Sequence, residues 1–320
     1  MHKHFRIGRN NLAATIFVPY DCANNCPFCT SKKDYADTSK FSLSKIKLAI
    51  NLIGQIKGVK DFVITGGEPF ADLRQLHTLL ETCKVYNKNV FINTTLPAKD
   101  QKEADEIFNF IKAHSMIISG INVSRHIALK SQYENDELVA KVNTIVPVKI
   151  NSVLYSLKKE FDIVTLTDFI KKYTNLGLKN ICFRADYTKI TNMNELKGLD
   201  DPFVQKLSSM DNLSYVSSGG CLVCNDDTFA VKDTKGAMVH YHRGTEHSAV
   251  ELGDTLIVND IVIKQDGSSH LDWSDNSDNS DFKHESQFTN SISSKDAPYG
   301  LIICISSPLY ISNSSAPNAE

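Results

Sequence analysis

The sequence predicts an α/β fold: a partial (β/α)6 barrel of the TIM type, built from parallel strands, with a small β-rich C-terminal extension. Three observations carry this. Short apolar runs alternate with amphipathic stretches of helical length, and a parallel neighbour needs a crossover connection that a helix usually supplies. The cysteine- and glycine-bearing motifs fall just after those runs, at the strand ends where such barrels collect their chemistry. After Tyr187 the alternation gives way to short runs punctuated by glycine.

The predicted strands are Ala13 to Val18, Asp61 to Thr65, Asn89 to Thr94, Ile117 to Ser124, Val146 to Leu154 and Asn180 to Ala185. Between them, apolar positions at three- and four-residue spacing predict helices near 43–57, 71–86, 100–114, 131–142 and 162–176. Ser42 and Thr167 are the cap or first-turn candidates. A helix near 195–209 follows, then strands at Thr228 to Val231, Ala237 to His242 and Thr255 to Lys264, with Asp266-Gly267 as a hairpin turn. Ser274 to Asp296 is rich in Ser, Asn, Asp and Lys and has too little apolar surface to bury, while Leu301 to Ile305 reads as a late strand. The expected domains are therefore a barrel over 1–190, an α+β extension with a Cys-x-x-Cys over 191–273, and a low-complexity tail over 274–320, largely disordered.

With 42% hydrophobic and 22% charged residues the chain has the balance of a soluble globular protein. No apolar run approaches the roughly 20 residues that span a bilayer, and the first residues lack a signal peptide's apolar stretch, so the expected location is cytoplasmic. A net charge of −2 gives no long-range pull toward nucleic acid, although a local basic groove for a small anion stays open. Neither membrane nor nucleic acid is an expected partner. Eight cysteines (22, 26, 29, 83, 182, 221, 224 and 304) in such a chain point to metal or redox chemistry where they cluster, not to disulfides.

Cys22, Cys26 and Cys29 put three thiols on one loop after the first predicted strand. A tight loop can bring three thiolates to three corners of an iron-sulfur cube, leaving the fourth iron open to another ligand. A structural zinc with a distant fourth ligand is the plain alternative. Gly66-Gly67-Glu68-Pro69 ends the second predicted strand, where the glycines permit close backbone approach and Pro69 fixes the turn. By itself that run is an ordinary turn.

Together the two motifs resemble the radical S-adenosylmethionine (SAM) superfamily, whose Cys-x3-Cys-x2-Cys pattern is met by Cys22, Cys26 and Cys29, with Phe28 before the last. The resemblance implies a 4Fe-4S cluster and SAM as cofactors. It implies that the reduced cluster cleaves SAM to a 5'-deoxyadenosyl radical, which abstracts a substrate hydrogen. It also implies an electron donor such as flavodoxin or ferredoxin, and a SAM site formed by Gly66, Gly67, Glu68 and Pro69. Phe28 would lie near the adenine, with Thr94, Ser124 and Asn151 at successive strand ends. Each of these is equally readable as an ordinary residue at a strand end.

Val148 to Val153 and Asn180 to Arg184 look like the matching strands of the GTP 3',8-cyclase branch, but Thr15 and Val63 stand where that branch has arginines. Its second cluster needs three C-terminal cysteines, whereas here Cys221 and Cys224 have no third until Cys304, and the Gly-Gly end is absent. Cys221 and Cys224 would bind a second metal with His240 or His242, act as a redox pair, share a partial cluster with Cys304, or simply be buried. Arg125, Lys149, Arg184 and Arg243 are the candidate contacts for an anionic substrate, Arg243 sitting in the polar run Tyr241 to His247, which otherwise reads as a solvated turn.

The leading expectation is SAM radical chemistry on a small molecule, nucleotide or sugar-like. Peptide-modifying maturases usually carry a peptide-docking region, often N-terminal, and the dozen or so residues before the first strand here tilt the expectation toward small molecules without settling it. Such a maturase is the second reading, and a non-catalytic metal-binding or regulatory barrel the third.

Overall fold

The computed structural model describes residues 4–7, 12–18, 22–29, 38–155, 162–186, 193–220, 225–243, 250–252, 255–258, 260–270 and 302–304. In chain order the elements are β1 (His4–Ile7), β2 (Leu12–Val18), α1 (Leu43–Gly54), β3 (Val59–Gly66), α2 (Leu73–Lys84), β4 (Asn89–Thr94), α3 (Gln101–Ala113), β5 (Ile118–Ser124), α4 (Asp136–Val142), β6 (Val148–Leu154), α5 (Ile163–Asn175) and β7 (Asn180–Ala185). They continue as α6 (Met193–Ser208), β8 (Leu213–Gly220), β9 (Asn225–Val231), β10 (Met238–Arg243), β11 (Val250–Leu252), β12 (Thr255–Val258), β13 (Ile261–Ile263), β14 (Ser269–His270) and β15 (Ile302–Cys304).

β2 to β7 lie side by side in sequence order and are all parallel, which is the predicted partial barrel. The sheet stays open. Later strands lengthen it at both edges: β13 joins β2 in parallel and β10 joins β7 in parallel, with antiparallel β9 and β8 beyond. A second sheet of four strands, β11-β12-β1-β15, holds the N-terminal strand, which the sequence reading missed. The predicted strand Thr255 to Lys264 is two strands, because β12 pairs with β1 in the small sheet and β13 with β2 in the large one. Apart from Ile302–Cys304, the low-complexity tail lies outside the described residues.

The helices start where a side chain can accept their orphan N–H groups. Ser42 caps α1 as expected, and Asp72, Asp100, Asn135 and Asp162 cap α2 to α5. Thr167 is interior to α5, not at its start, because Asp162 already accepts from Thr165 N at 2.9 Å. Helix 131–142 shortens to Asp136–Val142, since Tyr133 has φ 59 and Asn135 takes the cap.

One face of the large sheet packs on the helices. Ile46, Ile50 and Ile53 of α1, Leu76, Leu79 and Leu80 of α2, and Ile107 and Ile111 of α3 belong to one buried cluster with Ala14, Ile16, Phe62, Ile64, Val90, Ile92, Ile150 and Phe183 of the strands. Each large member contributes about 1.5–3 kcal/mol of burial. Strand side chains alternate between faces, so the residues between these core positions line the opposite, inner face. Pairing sets them in rows: Asn93, Asn122, Lys149 and Asn180, then Ser124, Asn151, Cys182, His240 and Thr228. Asn122 Nδ2 donates to Asn93 Oδ1 at 2.8 Å, and Thr228 Oγ1 lies 3.2 Å from His240 Nδ1, contacts that fit a shared face.

Candidate functional site

The cysteine loop follows β2, whose last residue, Val18, pairs with Gly66 at the end of β3. Gly66 has φ +143, and a Cβ there would lie 2.2 Å from the Val18 carbonyl oxygen. Only glycine lets the two strand ends approach this closely. Gly67 N then donates to the same oxygen at 3.3 Å. Cys22, Cys26 and Cys29 are half-buried and not joined in disulfides, and Cys29 N donates to Cys26 O at 3.2 Å, closing one turn of the loop.

Asn24, between the first two cysteines, ties this loop to the barrel. Its Nδ2 reaches Thr95 Oγ1 at 3.4 Å, and its Oδ1 accepts from Gln132 N at 2.7 Å. Burial pushes the Cys22 thiol up, and the charges of Glu68 and Cys29 add to that against hydrogen bonds from Asn24. A nearby cation would reverse this, since metal coordination holds cysteine as thiolate.

Glu68, 4% exposed, is where the second motif meets the rest of the site. Its carboxylate accepts from Phe70 N (3.2 Å), Thr94 Oγ1 (2.5 Å), Thr95 N (2.8 Å) and Thr95 Oγ1 (2.8 Å). Burial pushes the carboxyl above its ordinary value, and these four donors pull the other way. Pro69 begins the single turn Pro69–Ala71 behind it. Thr94, expected as a SAM contact, is 3% exposed and already committed to Glu68 and Leu96 N. Ser124 and Asn151 lie side by side on the inner face.

Of the four substrate candidates, two face inward and two do not. Lys149 and Arg184 occupy inner-face positions of β6 and β7, around Cys182, whose thiol burial pushes up while both positive charges pull it down. Lys149 also bears on Asp226 and His240, and Asp226 Oδ1 lies 2.6 Å from His242 Nδ1. Arg125 is 1% exposed, with Nε on Asp136 (2.9 Å), Nη1 on the carbonyls of Thr95 (2.6 Å) and Ser124 (2.9 Å), and Nη2 buried without a hydrogen-bond partner. Burial with a carboxylate partner makes it a tie between strand ends. Arg243 is likewise paired, with Asp227 at 2.6 Å and Asp201 at 2.5 Å. Cys221 and Cys224 lie outside the described residues.

The sequence reading missed His126 and Tyr155, which flank Phe28 with ring centroids 4.7 Å and 5.4 Å away. Only the spacing of His126 just past a strand end could have flagged it. Its Nδ1 accepts from Val153 N at 3.0 Å, so the ring is neutral with its proton on Nε2. Burial pushes its pKa down to about 4, and the charges of Arg184 and Arg125 add to the shift. The folded protein thus refuses a proton that the unfolded chain accepts below about 6.5. That stability is present above pH 6.5 and is lost as the pH falls toward 4, by about 3 kcal/mol. Urea unfolding between pH 7 and 4 should show the loss, and His126→Asn should flatten it by about that amount; equal slopes would count against the assignment.

Three thiols on one loop, none of them in a disulfide, are a soft donor set that suits an iron-sulfur cluster. Asn151 Oδ1 is buried without a partner, an acceptor available to a bound molecule. Residues 16–128, which run from β2 past β5, match the Radical SAM superfamily model. The matched family is one of enzymes that use a 4Fe-4S cluster and SAM.

Among solved structures the chain is similar to SuiB of Streptococcus suis, at 17% identity and TM-score 0.46 over 62% of this chain and 46% of SuiB. The SAM-bound form of SuiB gives 16% identity and TM-score 0.47 over 62% of this chain and 47% of that one. The form bound to precursor peptide SuiA gives 19% and 0.46 over 62% and 46%. The chain thus spans about half the length of these proteins. No curated protein matches its sequence. No described helix is long and apolar enough to cross a membrane.

Proposed function

We propose that the chain uses SAM radical chemistry on a small anionic substrate, nucleotide- or sugar-like, bound on the inner face between Lys149 and Arg184. The observation that carries this is the pair of inward cations on adjacent strands, in one pocket wall with Asn151, Cys182 and His240. In our reading Cys22, Cys26 and Cys29 hold the cluster, and Gly66 to Pro69 with Ser124 and Asn151 seat SAM. When bound, the two cofactors supply the one-electron chemistry that draws a hydrogen atom from the substrate.

The chain's own residues bind and orient. Glu68 fixes the turn beside Cys22, Phe28 with His126 and Tyr155 closes the rim against water, and Lys149 and Arg184 neutralise the substrate. Asp226 paired with His242 is an acid-base couple within the same wall. Thr15 is 6% exposed, and with Val63 it leaves the first two strands without the arginines of the GTP 3',8-cyclases, so we favour a substrate other than GTP.

A peptide substrate is the second reading. It is favoured by β8, whose outer edge has no strand partner among the described residues and which exposes Tyr215 (54%) and Val216 (50%). An extended peptide could add to such an edge. SuiB has been solved bound to its precursor peptide.

The test is anaerobic reconstitution with iron and sulfide, then dithionite and SAM. A brown protein that releases 5'-deoxyadenosine is expected, and a colourless zinc protein without SAM cleavage would favour the non-catalytic barrel. Crosslinking to β8 rather than protection of Lys149 by small anions would favour the peptide.

A further inference from the structure

We propose a zinc site on the outside of the barrel, formed by His77 and Glu81 of α2 and by His114 at the C-terminal cap of α3. Nothing in the cysteine-loop chemistry uses these residues. His77 and Glu81 are four apart, so they project from one helical face. His114 joins them from the next helix, and one ligand atom from each of the three side chains lies within 4.8 Å of the others. Two imidazoles and a carboxylate are a donor set that zinc takes with a water in the fourth position.

The hydrogen bonding around His114 is a second and independent observation. His114 Nδ1 lies 2.8 Å from the Phe110 carbonyl oxygen, which can only accept, so Nδ1 carries the proton and Nε2 presents its lone pair outward. A ring nitrogen anchored on a carbonyl while the other faces the ion is how metal-binding histidines are oriented. Stacking on Phe110, with centroids 4.2 Å apart, fixes the ring plane, and His114 is only 9% exposed.

His77 Nδ1 stands 2.8 Å from His114 Nε2 and, with both rings neutral, donates its proton to it. Zinc bonds of about 2.0–2.1 Å at tetrahedral angles hold two nitrogens roughly 3.3 Å apart. The rings therefore separate by about half an ångström to admit the ion. The His77 proton moves from Nδ1 to Nε2 through solvent, which the exposure of His77 allows, so both rings stay neutral and both lone pairs are given to the metal. Bound zinc would clip the end of α3 to the middle of α2.

The experiment uses full-length protein carrying its reconstituted iron and sulfide, dialysed against chelator-buffered Zn2+, with zinc and iron counted together. Wild type should hold one zinc that His77→Ala and Glu81→Gln each lose, with iron unchanged. Cys22→Ser should lose iron and keep that zinc, which separates this site from the cysteine loop. Co2+ in place of zinc should give tetrahedral visible bands in wild type that His77→Ala lacks. Both variants change exposed side chains, so folding is not at issue. A zinc count that is the same in wild type and His77→Ala, or no bound zinc in wild type, overturns the proposal.

Discussion

Replacing any one of Cys22, Cys26 or Cys29 by serine should bring iron content and 5'-deoxyadenosine release down to the no-enzyme background. A hydroxyl is a hard and weakly acidic donor, and a site with only three protein ligands has none to spare. Cys83→Ser is the control. Cys83 is a fully buried residue of α2, and burial pushes its thiol up to about 12, so it is an inert core residue. That variant should lose roughly 1–3 kcal/mol of stability for a buried hydroxyl while keeping its iron. Iron measured by colorimetry and nucleoside measured by chromatography decide the matter. Full iron in the loop variants would move the cluster elsewhere.

Gly66→Ala should be the most damaging change outside the cysteines. The new Cβ would meet backbone atoms of Val18 at 2.2 Å and 2.7 Å, and φ +143 is a conformation that alanine resists. Strain and overpacking together should cost about 3–5 kcal/mol. Relief would have to come from parting β2 from β3, which carries the cysteine loop away from Glu68, so cluster yield should fall with stability. Gly177 also has positive φ, +80, but nothing lies within 4 Å of a Cβ there. Gly177→Ala should therefore cost only about 1–2 kcal/mol. Anaerobic urea unfolding of the two variants separates collision from strain, and equal losses would show that the contact with Val18 is unimportant.

The difference between readable and unreadable residues is visible at Thr94 and Arg125. Both stand at strand ends, where a sequence reading assigns them to ligands. Thr94 turns to Glu68, 26 residues away in sequence, and Arg125 to Asp136 and two carbonyls, and no local pattern records such partners. Lys149 and Arg184, read by the same rule, face inward because strand alternation puts them opposite Ile150 and Phe183 of the core. The rule finds a rim; it does not tell which rim residues already have partners.

What the sequence alone determined was local. Hydrophobic period fixes strand or helix, and so β2 to β7 and their helices were legible, as was the cysteine loop, whose three thiols are neighbours along the chain. Tertiary structure decided everything that depends on contacts between distant segments. It split Thr255 to Lys264 between two sheets, added β13 and β10 to the barrel's edges, set Asn24 against Thr95, and brought His114 to His77. The reason is physical: periodicity and spacing describe one segment's own surface, whereas pairing and side-chain partners are chosen by the free energy of the whole fold, in which no single segment carries the answer.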